Sequence, residues 1–95
     1  GGMRMNEPAL DLAIIMALVS SMKDKPVNPK CMIFGEVGLA GEVRAVSQAE
    51  QRVHEAIKLG FESCILPQVS LDKMKKTDKI TLYGVSNVRE AIRLI

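Results

Sequence analysis

The sequence predicts an α/β (α+β) fold in which a β-hairpin and a βαβ unit form a small mixed sheet with helices packed against it. Helices are predicted from segments with apolar residues at helical spacing. Strands are predicted from short apolar runs bounded by glycine or proline. The chain has 95 residues, of which 47% are hydrophobic, so its size and composition fit one domain with one modest core.

The first helix is predicted to begin beside Pro8. Residues 1–5 are predicted to be a strand end or a loop, and Asn6 is predicted to be the N-cap. A proline in the first turn costs no hydrogen bond, because its missing N–H would have no partner there. The helix is predicted to end near Met22.

This first helix is apolar on all sides. From Ala9 to Val19 only Asp11 is polar. A helix of this kind must be covered on more than one face, and the rest of a short chain covers one face well. We expect the other face to meet a missing part of the domain or another subunit. The candidate subunit-interface residues are Leu10, Ile14, Met16 and Leu18.

A β-hairpin and a second helix are predicted next. Strands over 32–37 and 42–46 are joined by a turn with glycine at both ends, which permits a positive φ. Ser47 and Glu50 have the spacing of a capping box at the start of the helix. Gly60 is predicted to end the helix in the left-handed conformation. The buried stripe is predicted to be Ala49, Val53, Ala56 and Ile57.

The last third of the chain is predicted to complete the βαβ unit. Residues 63–66 form a strand that Pro67 stops, and a right-handed crossover joins this strand to the returning strand of the hairpin. A short helix over 70–76 and a strand over 80–83 follow. Ser86 is predicted to cap the last helix. The apolar face of that helix is Val88, Ala91, Ile92 and Ile95.

Cys31 and Cys64 are the only cysteines. Each lies in an apolar stretch, so we expect two buried free thiols in a reducing cytosol, with a disulfide or a metal pair as the alternative. No further cluster of cysteine and histidine completes a zinc site. We therefore expect no metal site and no cofactor site in this chain.

The chain shows no signal for export or membrane insertion. Its start lacks a basic region followed by an apolar one. The longest apolar stretch, from Leu12 to Val19, is far shorter than the roughly 20 residues of a membrane span. We expect a cytoplasmic protein with no membrane partner.

The overall charge is nearly balanced, with 13 basic and 11 acidic residues. Net charge alone therefore does not indicate nucleic-acid binding. His54 is expected on the solvent side of the second helix. One local cluster is a candidate for DNA contact: Lys73, Lys75, Lys76 and Lys79. It is either a solvated surface or a strip along the DNA backbone, because phosphate contacts need only a shared face.

One long segment is distinctive enough to indicate a family. Residues 34–52 read FGEVGLAGEVRAVSQAEQR, and this run resembles the C-terminal region of the bacterial RadA (Sms) family. Residues 1–9 and 58–61 fit the same region. The resemblance covers essentially all 95 residues and suggests that the two leading glycines are native.

The resemblance implies a cytoplasmic protein of DNA repair and recombination. Such a protein has a zinc-binding N-terminus, a RecA-like ATPase core and a C-terminal domain similar to the Lon protease domain, of the ribosomal protein S5 domain 2-like class. It forms ring hexamers and drives ATP-dependent branch migration on DNA, and its ATP, Mg and Zn lie outside this chain. Residues 1–95 are then the later part of the Lon-like domain, without its opening strands.

Lon proteases use a catalytic serine and a catalytic lysine. The resemblance places Ala9, directly after Pro8, at the serine position and Glu50 at the lysine position. Alanine has no nucleophilic atom, and a carboxylate cannot replace an amine of lowered pKa. We therefore expect no catalytic residue and a non-catalytic assembly domain that supports the hexameric ring. A DNA-backbone contact module is the alternative, and a Ser-Lys peptidase is a distant one.

Overall fold

A three-stranded parallel sheet with helices on both faces forms the body of the protein, and a short hairpin is attached to it. The computed structural model describes residues 7–95. The elements are a 3₁₀ turn (Pro8–Leu10), α1 (Asp11–Lys23), β1 (Cys31–Ile33), β2 (Glu36–Val37), β3 (Val43–Arg44), α2 (Ala49–Lys58), β4 (Ser63–Pro67), α3 (Gln68–Leu71), β5 (Thr81–Val85) and α4 (Val88–Ile92). The predicted α/β class is confirmed.

Strand β4 is the centre of the sheet. The order is β1-β4-β5, and both pairings are parallel. Four of the five residues of β4 are buried, as expected for a parallel strand that is covered on both faces. Because neighbouring side chains point to opposite faces, β4 contributes to two separate cores.

The two cores lie on opposite faces of the sheet. On one face, Val53 and Ala56 of α2 belong to the same cluster as Leu66. On the other face, α1 and α4 supply Leu12 and Ala91 to a cluster with Ile65 of β4. The hydrophobic burial of these side chains is the main force that holds the helices on the sheet.

The predicted strand over 32–37 is divided in the structure. Phe34 N–H still donates to the Ile65 carbonyl of β4 at 3.1 Å, but the next N–H, that of Gly35, donates to the Ala9 carbonyl at 2.9 Å. The chain thus leaves β4, and β2 pairs with β3 in an antiparallel ladder of its own. The strand that enters the βαβ crossover to β4 is therefore β1. The prediction that the returning strand of the hairpin enters this crossover was wrong.

The two ends of α2 had different outcomes. The capping box of Ser47 and Glu50 is absent, because Gln48 is the N-cap, with φ +57°, and leaves Ser47 outside the helix. The predicted C-terminal end is confirmed, since Gly60 has φ +88°. Gly60 N–H donates to the Ile57 carbonyl at 3.1 Å and Phe61 N–H to the Ala56 carbonyl at 2.9 Å, which together form a Schellman motif.

The remaining boundaries shift by a few residues. The short helix predicted over 70–76 overlaps α3 only at residues 70 and 71, so its extension over 72–76 was wrong, whereas the strand predicted over 80–83 is β5. The cap of α4 is Asn87 and not Ser86, because the Asn87 Oδ1 atom accepts the Glu90 N–H at 2.9 Å. The predictions for residues 1–5 and for the Asn6 cap lie outside the described residues. No helix within residues 7–95 combines the length and the apolar character needed to cross a bilayer.

The two thiols lie on different faces of the sheet. Both cysteines are free. Met32 stands opposite Cys64 in the parallel register, so Cys31, one residue earlier, points to the other face. The alternative of a disulfide does not hold, because the sheet separates the two sulfur atoms. Burial raises the pKa of the Cys64 thiol to about 11, with a smaller contribution from Cys31.

This raised pKa predicts a loss of stability in base. Below the ordinary thiol pKa of 9.0 Cys64 is protonated in both the folded and the unfolded chain. As the pH rises toward 11, the unfolded chain releases the proton before the folded chain does, so folding becomes less favourable. Urea unfolding measures the free energy of unfolding at about pH 8 and about pH 10.5. Between these two pH values this free energy should fall more for the wild type than for Cys64→Ala. Equal losses would contradict burial of this thiol.

Candidate functional site

The start of α1 is bound directly to the start of the hairpin. Besides the bond to Ala9, Gly35 accepts the Leu12 N–H on its carbonyl at 3.0 Å. The Asp11 carboxylate accepts the Val37 N–H at 3.1 Å. The one polar residue of the apolar segment of α1 therefore has a structural partner, and these three bonds hold Ala9 next to β2.

A small cavity of about 260 Å³ opens beside Ala9. Ala9 itself is 5% exposed. The charged and hydroxyl side chains that line this cavity are Glu7, Glu36, Ser47 and Arg52. No lysine or histidine is among its lining residues.

Arg52 is the side chain that α2 directs into this cavity. Its Nη2 atom forms an ion pair with Glu7 Oε1 at 3.2 Å, and its Nε atom donates to the Ser47 carbonyl at 3.3 Å. Its guanidinium carbon lies 5.9 Å from the centroid of the Phe34 ring, within the range of a cation–π contact. These three contacts hold the guanidinium of Arg52, which lines the same cavity as Ala9.

Glu50 does not share this cavity. It lies two residues before Arg52, which corresponds to roughly 200° around an α-helix. Glu50 lines a different cleft together with His54 and the segment 74–79. The structure therefore brings Ala9 together with Arg52 and not with Glu50.

Arg52 was missed because the resemblance placed Glu50 at the lysine position, and both side chains flank the same buried stripe. Val53 and Ala56 are buried against the sheet, and helical geometry places Glu50 on one side of them and Arg52 on the other. The stripe shows which face of α2 is inside. It does not indicate which flank of α2 faces Ala9, because that depends on where the start of α1 packs.

The groups around Ala9 can bind charge but lack a proton acceptor of the serine–lysine type. A guanidinium stays protonated and cannot take a proton from a hydroxyl. The methyl group of Ala9 offers no nucleophile. Within residues 7–95, no group of three or more histidine, cysteine, aspartate or glutamate side chains is close enough together to hold a metal ion.

The outer face of α1 carries a row of exposed apolar side chains. They recur every four residues, as do neighbours on one face of a helix. The exposed fractions are 45% for Leu10, 54% for Ile14, 61% for Leu18 and 85% for Met22. We call these four residues the α1 ridge.

One predicted interface residue does not belong to the α1 ridge. Met16 is fully buried in the core with Leu12, so its prediction as a subunit-interface residue was wrong. An α-helix places position 16 on the same side as position 12, and that side faces the sheet. Met22 was missed because the apolar stretch considered in the sequence ended at Val19.

The lysine cluster lies on the surface next to α3. Lys73, Lys75, Lys76 and Lys79 are all exposed. The last three line the cleft that also contains Glu50. Their contact with DNA stays a prediction.

Comparison with known proteins gives one family model and a consistent set of relatives. The model described as "Subunit ChlI of Mg-chelatase" matches residues 1–70. The DNA repair protein RadA of Bacillus subtilis (strain 168) is 53% identical over 93 residues, which are 98% of this chain and 20% of that protein. The RadA protein of Streptococcus pneumoniae (strain R6) is 43% identical over 95 residues, which are 100% of this chain and 23% of that protein.

A third relative agrees with these two. The DNA repair protein RadA of Halalkalibacterium halodurans is 44% identical over 94 residues, 99% of this chain and 21% of that protein. The chain thus spans about a fifth of the length of the curated relatives it matches. The predicted resemblance to RadA proteins is confirmed, and the chain belongs to the family whose model is described as subunit ChlI of Mg-chelatase.

Proposed function

We propose that this chain is a non-catalytic, Lon-like assembly domain of a bacterial DNA repair protein. In this proposal it supports a hexameric ring, and an ATPase motor elsewhere in the same polypeptide drives branch migration on DNA. The α1 ridge is the observation that carries the proposal. Four aliphatic or thioether side chains in one exposed row are typical of the apolar centre of a subunit interface.

The relatives support the DNA repair part of this proposal. Those reported above match 98–100% of the chain and are all named DNA repair protein RadA. About four fifths of their length lies outside the matched region, which leaves room for the ATPase and zinc-binding parts and for their ATP, Mg and Zn.

The surroundings of Ala9 support the non-catalytic part. Peptide cleavage by a serine–lysine pair needs a hydroxyl and a neutral amine within hydrogen-bond reach of each other. The cavity pairs a methyl group with a guanidinium that Glu7 and Ser47 already engage. We propose that Arg52 now has a structural role and fastens α2 to the start of α1.

The assembly proposal predicts that charges on the α1 ridge break the ring. In the full-length protein, Ile14→Glu combined with Leu18→Glu should shift the hexamer to smaller species, because two carboxylates would be buried without partners. Analytical ultracentrifugation measures the shift. The matched control is Leu39→Glu combined with Leu59→Glu, which changes two exposed leucines elsewhere and should leave the hexamer intact.

Two results would contradict this prediction. A hexamer that survives both charges on the ridge would show that the ridge lies outside the interface. A folded wild type whose double variant loses its melting transition would show that the ridge is instead covered by another segment of the same polypeptide. Circular dichroism during heating distinguishes the two cases.

A DNA-backbone contact module is the second candidate function. Its specific observation is that all four lysines of the cluster are exposed within a stretch of seven residues. Reversing the charges of Lys73 and Lys75 in the full-length protein should weaken DNA binding and lower its dependence on salt, because fewer counterions would be released. Unchanged affinity and an unchanged salt slope would exclude these lysines from DNA contact.

A further inference from the structure

A second concave surface lies between α2 and the segment 74–79, away from Ala9. Its volume is about 590 Å³, which is within the range of sites that bind small ligands. Local bonds hold the segment in place: Met74 N–H donates to the Leu71 carbonyl at 3.0 Å, and Lys79 N–H donates to Thr77 Oγ1 at 3.2 Å. We call this surface the α2 cleft.

The α2 cleft combines an apolar floor with a basic rim. Val53 and Ile57 of α2 form the floor together with Met74, which is partly buried against the core. Lys75, Lys76 and Lys79 stand around this floor and are exposed. The apolar floor therefore lies next to three ammonium groups.

The lysines of the rim form no ion pair among residues 7–95. Among residues 7–95, the cations in ion pairs are Arg44, Arg52 and Lys58, so each lysine of the rim is more than 4.0 Å from any carboxylate. The carboxylates that line the cleft are Glu50 and Asp78. Three ammonium groups against two carboxylates leave the rim positive and favour an acidic partner.

We propose that the α2 cleft binds an acidic segment of a partner protein, with an aliphatic side chain on the floor and carboxylates at the lysine rim. Charge complementarity would speed the encounter, and burial of the aliphatic group would slow dissociation. Single-stranded nucleic acid fits less well, because base binding relies on successive aromatic stacking platforms and His54 is the single aromatic ring among the residues that line this cleft. A DNA backbone would leave the apolar floor unused.

The test uses the full-length protein and three labelled peptides of equal length. One has alternating glutamates and leucines, the second has serine in place of leucine, and the third has lysine in place of glutamate. We expect fluorescence anisotropy to show saturable binding of the first peptide alone. Serine removes the group for the floor, and lysine repels the rim.

Variants of the protein locate the binding site. Lys75→Glu, Lys76→Glu and Lys79→Glu together should weaken binding of the first peptide by about tenfold or more, since three attractive pairs become repulsive. The control of equal charge change is Lys23→Glu, Lys25→Glu and Lys30→Glu, which alters three other exposed lysines and should weaken binding by less than about threefold. Met74→Gln should weaken binding by a few fold; if this variant also lowers the melting temperature, the comparison of leucine and serine peptides still reports on the floor.

Several results would overturn the proposal. These are no saturable binding of the first peptide, equal binding of the leucine and serine peptides, or equal losses in the two triple variants. A single-stranded oligonucleotide provides a further arm. The cleft is a DNA-backbone site if the peptides fail to bind and the oligonucleotide binds the wild type. In that case the affinity for the oligonucleotide should fall in the rim variant and stay unchanged in Met74→Gln. The ring proposal is independent of all these outcomes.

Discussion

Replacing Leu12 with alanine is expected to destabilise the protein by about 2–5 kcal/mol, as for other large-to-small changes in a packed core. Leu12 is fully buried and lies where α1, the hairpin and the sheet meet, with Val43 and Ile65 in the same cluster. Removing three carbon atoms there forfeits their burial and leaves a cavity that rigid neighbours on three sides cannot close. Urea unfolding followed by circular dichroism measures the loss.

The matched control for Leu12→Ala is Leu59→Ala. Leu59 is 68% exposed at the end of α2, so the same chemical change should cost less than about 1 kcal/mol. Similar losses at the two positions would show that Leu12 is not packed as described.

Replacing Gly35 with valine should have the second largest effect, a loss of about 1–3 kcal/mol or more from overpacking. A Cβ atom at Gly35 would lie 3.0 Å from Val43 Cγ1 and 3.3 Å from Leu12 Cδ2. Both neighbours are buried and cannot move away freely. Any backbone shift that relieves the clash also lengthens the bonds from Gly35 to Ala9 and Leu12, so the start of α1 should loosen from the hairpin.

Gly38→Val is the control for this substitution. The atoms that a Cβ at Gly38 would meet belong to the carboxylate end of Glu42, a side chain that is 44% exposed. It can move into solvent by giving up its exposed bonds to Ala40 N–H and Arg44, so we expect a loss of about 1 kcal/mol, smaller than at Gly35. An equally large loss at Gly38 would contradict the close approach at Gly35 as the cause. Urea midpoints of the two variants and the wild type provide the measurement.

Local signals predicted the elements whose ends are set by their own residues. Gly60 ends α2 because a glycine adopts the left-handed conformation without a steric penalty, and that needs no information from the rest of the fold. The apolar run of β4 likewise identified a buried strand. The division between β1 and β2 could not be predicted this way. Phe34 N–H donates to the Ile65 carbonyl, whereas the next N–H, that of Gly35, donates to the Ala9 carbonyl. Both acceptors are distant in sequence.

The assignment of the two degenerate catalytic positions came from the family resemblance and stays a prediction. The resemblance placed the serine position at Ala9, which lines a cavity in the structure. The residue opposite Ala9 was missed, since Arg52 and Glu50 are equally plausible flanks of one helix. The assignment of Met16 to an interface failed because an apolar helix has no polar side to set its orientation. The buried residues of α1 are Leu12, Met16 and Ser20. Which side of the helix packs on the sheet is known only from the folded structure.

The alternation of side chains along β4 has a consequence for how the protein comes apart. Cys64 and Leu66 belong to one core, and Ile65 between them belongs to the other. Loss of β4 from either core would therefore disrupt the other core as well. We therefore expect the slowest-exchanging amides of α1 and α2, on opposite sides of the molecule, to report the same opening free energy. Unfolding would then be a single cooperative transition of the whole sheet and not a stepwise loss of two layers.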